Sequence, residues 1–548
     1  MMNMTTVHLL EATPFDPSAS TELSAIPAPF GDWAFAGDVT FSFTTGGGEA
    51  LYLADGTFNS LPGDALANQH YSPVLLQPFS YEVRLFDGLE PVGRASQGFG
   101  EIVIFNGDGD LDALLALGWS GRPIMLYRAV SSGARDDATL VFSGTVDGLE
   151  PDEINVVLRL RDRQALLDRP LNASLYAGDG GAEGGEDLNG KRKPVGWGRL
   201  FNVAPPLIDS ANLVYQLHDG AILAVEDVRD KGVSLDVGSN GATDYANYAA
   251  LVGASISAGT YATSLAQGLI RLGGSPDGLV TVDFQGEDDG ESPDAFIETA
   301  GRMVRRIVTT RLDTVNLVDP DDLDTAAFAQ IEADQPAQLG FWQGPDSTLT
   351  VGQALDQILA SVGAVWWFTL PGLLTVKRLD APSGTAAEVL TPDDILQAPA
   401  LTMAGGVPSY RRKVGWKFNN AVQSADDLAG AVSDADRLLY GQEYRFALTT
   451  DAAVLTQHRA AREVETRGLF ALQADADTEA ARLQTLHGEP RRVFPVGLVR
   501  DDPFDAPLGA VVEIQDFNRL GLSSSKKFVC IGFEANLARA ETIWWLWG

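Results

Sequence analysis

Acidic side chains are the first candidates for chemistry in this chain. Asn106–Asp112 reads NGDGDLD and sets Asp108, Asp110 and Asp112 at alternate positions, the opening spacing of a calcium loop. Such a loop needs glycine where Ala113 stands and a carboxylate where Trp119 stands, so the segment reads as an acidic turn. A second cluster, Gly286–Glu291 (GEDDGE), has less geometry and reads as a solvated loop. Paired carboxylates can also cleave glycosidic bonds, at separations of about 5 Å or up to about 9.5 Å, which a sequence does not reveal. Glu287 and Asp289 are the candidates for that enzyme alternative. His8, His70, His218, His458 and His487 lack ligand spacing, and neither HExxH, GxSxG nor a P-loop occurs. The lone Cys530 precludes an intrachain disulfide, a cysteine zinc site and an iron–sulfur cluster; its setting, KKFVCIGF, reads as buried core. Lys191–Lys193 is a short basic run beside acids and reads as solvated linker. The expectation is a chain without catalytic residues, bound metal or cofactor.

Aromatic residues carry more information. Trp366, Trp367 and Phe368 adjoin one another, as do Trp544, Trp545 and Trp547. Adjacent strand residues point to opposite faces, so each strand presents aromatics on both. One reading covers both faces within the chain's own domain. The other docks one face on a neighbouring subunit, which makes Trp366, Trp367, Trp544, Trp545 and Trp547 candidate interface residues.

The elements that would position these residues are mostly short strands. Tyr81–Phe86, Glu101–Phe105 and Pro123–Tyr127 alternate and are separated by Gly, Asp and Asn clusters. Strands are expected at Asp38–Phe43, Thr139–Val146, Ile154–Leu160 and within Val214–Leu235, with helical turns at Asp110–Leu117 and Arg161–Leu167. Thr260–Leu272 and Pro293–Val308 show helical spacing, the latter with Phe296, Ala300, Met303 and Ile307 on one face. Asp319–Gln330 opens with acids that suit a helix start. Leu349–Val362 predicts a well-defined helix, followed by a hairpin of Ala364–Thr369 and Leu374–Leu379. Val414–Phe418 and Glu443–Leu448 read as strands, and Asp451–Leu469 and Asp477–Leu486 as helices with a break near Gln473–Ala476. Four strands close the chain: Val493–Arg500, Ala510–Ile514, Lys527–Phe533 and Thr542–Trp547.

A length of 548 residues exceeds one core, so several domains are expected. The predicted division is an N-terminal β segment at 1–62, a β-rich domain at 63–176, a Gly- and charge-rich linker at 177–195, and a middle α+β domain at 196–340. A small helix-and-hairpin domain at 341–400 and a β-barrel domain with a helical insertion at 401–548 follow. The fold class is thus a mixed, β-rich α+β multidomain protein. With 39 basic against 74 acidic residues the net charge is −35, a surface that repels nucleic acid and anionic membrane. It does not exclude a channel through which DNA passes without sticking. The N-terminus lacks a basic start and an apolar core of signal-peptide length, and no run reaches the roughly 20 apolar residues of a bilayer span. The expectation is synthesis in a cytoplasm with no stable membrane anchoring.

Three stretches, GRASQGFGEIVIFNGDGDLDALLALGWSGRPIMLYR, LVFSGTVDGLEPDEINVVLRLRDRQALLDRPL and NGKRKPVGWGRLFNVAPPLIDSANLVYQLHDG, are similar to hub-type tail proteins of siphophages and prophages. LTVGQALDQILASVGAVWWFTLPGLLTVKRL resembles a small helix-and-hairpin domain of these hubs. The end, LGAVVEIQDFNRLGL through KKFVCIGFEANLARAETIWWLWG, resembles their closing barrel. About two thirds of the chain resembles baseplate or tail-tip hub proteins of long-tailed bacteriophages. The resemblance implies two β-barrel-like hub domains with small α/β inserts, and a homotrimer whose pseudo-sixfold ring joins a sixfold tube to a threefold tip. It implies a place in the virion, at the tail tip or baseplate. The implied partners are the distal tail protein, the tape measure, and tail fibre or central tip proteins, with no sequence-specific nucleic-acid binding. One departure is that some relatives hold an iron–sulfur cluster, which a lone Cys530 cannot. A receptor-binding tail protein and a tail-associated cell-wall glycosidase are the competing functions.

Overall fold

Alternation builds the first sheet: in strand Asn155–Arg161, Val156 and Leu158 turn into the core while Arg159 faces out. The computed structural model describes residues 6–14, 20–22, 44–46, 50–77, 80–87, 90, 93–161, 163–237, 243–288, 297–312, 318–397, 406–500, 502, 504–517, 525–536 and 541–548. The expected strand Asp38–Phe43 and the side chain of Phe296 lie outside them. The first sheet has seven antiparallel strands, in the order Leu51–Ala54, Thr6–Ala12, Pro123–Val130, Thr139–Pro151, Asn155–Arg161, Ile102–Phe105 and Leu75–Gln77.

A second, eight-stranded sheet draws on both halves of the chain. Ser96–Phe99 and Ser80–Arg84 lie beside Lys526–Asn536, Glu541–Trp547, Val493–Val499 and Ile395–Gln397. Val511–Ile514 joins it on Lys526–Asn536 and pairs in parallel with Glu388–Leu390. Segment 80–99 therefore hydrogen-bonds into the C-terminal sheet, across the division expected between 63–176 and 401–548. One continuous apolar core, from Leu10 and Ile104 to Trp544 and Leu546, fills both sheets. The protein is β-rich, multidomain α+β.

The described helices are α1 (Tyr248–Gly253), α2 (Ala300–Thr310), α3 (Thr325–Asp334), α4 (Val351–Ser361), α5 (Asp434–Tyr440), α6 (Ala452–Gln457) and α7 (Gln473–His487). A capping box starts α4: Thr350 Oγ1 accepts from the Gln353 amide at 3.3 Å, and Gln353 Oε1 accepts from the Thr350 amide at 3.0 Å. Its apolar stripe, Val351, Leu355, Ile358 and Leu359, is fully buried, worth about 1.5–3 kcal/mol per side chain. The hairpin Ala364–Phe368 with Leu374–Arg378 follows as the sequence predicts. Its first strand also pairs in parallel with Gly93–Arg94, so this unit too is sewn to the N-terminal half.

Elsewhere the periodicity misleads. Thr260–Leu272 is not a helix but two strands, Thr260–Ser264 and Leu269–Leu272, joined through Gly268. Gly268 adopts φ +61, and a Cβ there would stand 2.5 Å from the His218 carbonyl, so only glycine closes this turn. Helix α6 ends at Gln457, and Arg462–Phe470 forms a strand parallel to Ser409–Trp416 instead of continuing the expected helix. Val464 and Thr466 are β-branched, and Arg411 bonds Glu463 across the pair at 3.0 Å. No break occurs near Gln473–Ala476: α7 runs unbroken and buries Ala476, with Asp475 in its first turn. The expected linker 177–195 packs onto its neighbours: its Leu188 is buried in a cluster with Tyr176 and Leu251, and glycines 178, 180, 181, 184 and 190 take positive φ to fold the turns.

The middle unit, 195–343, holds two five-stranded sheets around a core of Leu200, Val228, Ile270, Val282 and Phe284. Trp366 is fully buried, and its Nε1 donates to Asp356 Oδ1 on α4 at 2.8 Å. Trp366→Ala is expected to cost about 3–5 kcal/mol and to leave Asp356 without its donor. Urea denaturation with limited proteolysis of 341–400 checks this; unchanged protease resistance would refute the packing role.

Candidate functional site

Glu287, one of the two glycosidase candidates, ends strand Val280–Glu287 and is 4% exposed. Gly286 brings two strands together, since a Cβ there would stand 2.5 Å from the Gly196 carbonyl. Trp197 Nε1 donates to Glu287 Oε2 at 2.5 Å. Arg306 of α2 donates to Oε1 through Nε and Nη2 at 3.0 and 2.8 Å, and Arg311 Nη2 lies 2.8 Å from the same oxygen. Beside them, the His218 ring accepts from the Gly196 amide at 2.9 Å and faces Arg311 at 3.0 Å.

Burial opposes ionisation of Glu287, but Arg311 and the hydrogen bonds from both arginines outweigh it and hold the carboxyl at about 2. Burial, and then Arg311, push His218 down to about 4. A general acid needs a raised pKa and access to substrate; Glu287 has neither. Asp289 lies outside the described residues. The carboxylate is a structural counter-ion for two guanidiniums, and the hydrolase reading loses its anchor there.

The acidic turn Asn106–Asp112 satisfies itself. Asn106 Nδ2 donates to Asp112 Oδ1 at 2.8 Å, and Asn106 Oδ1 accepts from the Leu111 amide at 2.8 Å. Among the described residues no group of three His, Cys, Asp or Glu is placed to hold a metal ion. The histidines are dispersed: His8 pairs with Asp55 at 2.6 Å, His70 meets Asn59 at 2.8 Å, His458 follows α6, and His487 is buried 3.3 Å from Glu90. Burial raises the Cys530 thiol to about 12, an inert core residue. The expected solvated run Lys191–Lys193 is partly engaged, Lys193 bonding Glu183 at 2.8 Å and Lys191 bonding Asp346 at 3.0 Å.

Trp366, Trp367, Trp544, Trp545 and Trp547, the candidate interface residues, are all buried within this chain, as in the reading that covers both strand faces inside one domain; Trp367 also lines a surface cleft. Arg84 lies 3.9 Å from the Trp545 ring centroid, made possible by Gly532 opposite Arg84. Phe86 and His487 pack edge-on to Trp547 at 5.5 and 6.3 Å, and Arg94 covers Trp366 at 5.1 Å. The interface these rings make is between segments of one chain.

Two surface features were not legible in the linear sequence. A cleft of about 510 Å³ opens between α3, the hairpin and the 504–510 loop, walled by Tyr81, Trp367, Phe504 and Phe533. On the outer face of the eight-stranded sheet, Glu82 stands directly opposite Glu534, with exposed Glu541 and Ile543 on the next strand. Only the strand register brings residues more than 400 positions apart together.

No family model matches the chain, and no curated protein matches it in sequence. Among solved structures it is similar to the 43 kDa tail protein of prophage MuSo2 from Shewanella oneidensis, at 10% identity over 88% of this chain and 96% of that one, TM-score 0.35. The tail protein from Neisseria meningitidis MC58 gives 12% identity, 86% and 91% coverage, and TM-score 0.34. Prophage tail protein gp18 from Listeria monocytogenes EGD-e gives 8%, 88%, 93% and 0.37. At these scores the likenesses carry no weight of their own.

The buried cluster predicts acid lability. The unfolded chain protonates histidine near 6.5, whereas folded His218 and His487 take up a proton only near 4 and 3, so stability falls with pH across those windows. Glu287 adds a loss as pH drops from its ordinary 4.5 towards 2. Thermal melting from pH 8 to 4 should show a steady decline beginning near 6.5. Glu287→Gln, which removes the charge that Arg306 and Arg311 share, should destabilise by about 3–5 kcal/mol. A flat pH profile or a neutral substitution would refute this account.

Proposed function

We propose that the chain is a structural, non-enzymatic hub of a bacteriophage tail tip or baseplate. It acts as a homotrimeric adaptor between the sixfold tail tube with its distal tail protein and the threefold tip with its host-recognition parts. The observation that carries this reading is the pair of large β-sheets, one seven- and one eight-stranded, woven from both ends of the chain around one core. A subunit with two such units, unable to slide past each other, supplies two ring positions; three subunits supply six. The tape measure and tail fibre or central tip proteins complete the set of partners, and the virion tail is its place.

The same reading gives the outer sheet face a role. Like charges directly opposite on neighbouring strands are destabilising, yet Glu82 faces Glu534, and Arg84, 2.9 Å from Glu82, offsets only part of this. A wall of fixed carboxylates lowers the affinity of passing phosphates, because counterion-release binding requires basic groups. We assign this face to a central DNA channel.

Symmetry in the particle is the direct test: averaged images of tails labelled on this protein should show threefold placement, and a sixfold or twofold location would overturn the reading. The isolated protein should not retain duplex DNA at about 50 mM salt, whereas the triple variant Glu82→Lys, Glu534→Lys, Glu541→Lys should bind it with a steep salt dependence. Salt-sensitive binding by the unaltered chain would refute the channel assignment.

A further inference from the structure

Helix α2 carries three arginines within five residues in a chain of net charge −35: Arg302, Arg305 and Arg306, with Arg311 just beyond its end. Arg302, Arg305, Arg306 and Thr309 follow the i, i+3, i+4, i+7 spacing of one helical face. Together with Ile297, Pro320 and Leu323 they line a pocket of about 160 Å³. The inward side of the helix, Met303, Val304, Ile307 and Val308, is fully buried, which fixes the rotation of the helix and hence the arginine face.

Among the described residues, Arg306 and Arg311 share one carboxylate, Glu287, and Arg311 also lies 3.9 Å from Asp219 Oδ2. Arg306 reaches it with Nε and Nη2, leaving Nη1 with no hydrogen-bond partner among the described residues. Arg305 is exposed and makes no side-chain bond or ion pair among the described residues. Among the described residues, Asp322 bonds Arg163, Glu332 the Thr299 hydroxyl and the Arg302 amide, and Asp319 the Asp321 amide.

We propose that this pocket binds an acidic segment of a protein partner, a carboxylate with an apolar neighbour. The carboxylate takes the guanidinium donors of Arg305 and Arg306, which suit its fork geometry. The apolar neighbour lies over Ile297, Pro320 and Leu323. Nucleic acid fits less well: a polyanion would meet the acidic field of the whole chain, whereas a short segment experiences only charges within a Debye length of about 8 Å. The apolar floor also gives nothing to a phosphodiester. The inference does not depend on the hub assignment, because it concerns the pocket's own chemistry.

The test uses the full chain at about 50 mM salt and a fluorescent hexapeptide, Gly-Asp-Leu-Asp-Phe-Gly, blocked at both ends. Saturable binding is expected, weakened about tenfold or more by Arg305→Glu and lost when both peptide aspartates are replaced by asparagine. Because Arg305 is exposed, its substitution should leave the melting temperature unchanged, which separates binding from folding. Inorganic phosphate should compete only weakly, and a 20-base-pair duplex should not compete. Absence of saturable binding, equal binding of the asparagine peptide, or Arg305-dependent binding of the duplex would each overturn the proposal.

Discussion

The pairing of Ser80–Arg84 with Lys526–Asn536 is the constraint on which the rest of this structure depends. It closes a loop of more than 400 residues, and everything between must fold within that closure. The entropy of closing a loop grows only slowly with its length, so the cost is modest once the sheet forms. The kinetic consequence is larger, because a sheet assembled from both chain ends has high contact order. The intervening units have their own cores, notably that around Phe284 and Ile270, and can fold before the ends meet.

Polar rivets fix the closure at several points. Gln97 Nε2 donates to the Phe368 carbonyl at 2.8 Å, and Arg94 lies over Trp366, tying the hairpin to the N-terminal strands. Arg412, only 2% exposed, bonds Glu90 at 2.8 Å and thereby joins strand Ser409–Trp416 to the same region. Buried arginines recur at such junctions: Arg229 with Asp283 and Asp227, and Arg482 with Glu479 and Asp380. In a chain with 74 acidic residues against 39 basic ones, a buried arginine at a junction readily finds a carboxylate. Removing one partner from a buried pair is far more costly than the pair is favourable, so these contacts specify the arrangement of units more than they strengthen it.

Much of the local structure was legible in the sequence because local physics decides it. Thr350 and Gln353 announce α4, and the period of Val351, Leu355 and Ile358 states which side is buried. The four closing strands follow from alternation. The failures share one cause: at Thr260–Leu272 and Arg462–Phe470, neighbouring strands recruit segments whose apolar spacing also fits a helix. The tryptophans were legible as buried-face residues, but the rings that cover them, Phe86 and Arg84 among others, are distant in sequence. Glu287 looked like a loop acid because nothing local reveals that Arg306, Arg311 and Trp197 converge on it. The spacing marked the apolar face of α2 but not its arginines, and only the structure shows that Arg306 and Arg311 share Glu287.

The distribution of charge then separates two kinds of surface by range. Long-range repulsion follows net charge and governs approach, whereas recognition follows the few groups within a Debye length of contact. The carboxylates on the outer face of the eight-stranded sheet add to the background field, and Arg84 beside Glu82 offsets only part of it. The α2 arginines oppose that field only locally, over an area too small to attract a polyelectrolyte but sufficient for one or two carboxylates. If the chain joins other proteins as proposed, this arrangement gives it specificity: an anionic partner segment meets a local attraction at α2, while the background field opposes the approach of a polyanion. Selectivity here arises from contrast between background and patch, which neither the net charge nor the arginine run would supply alone.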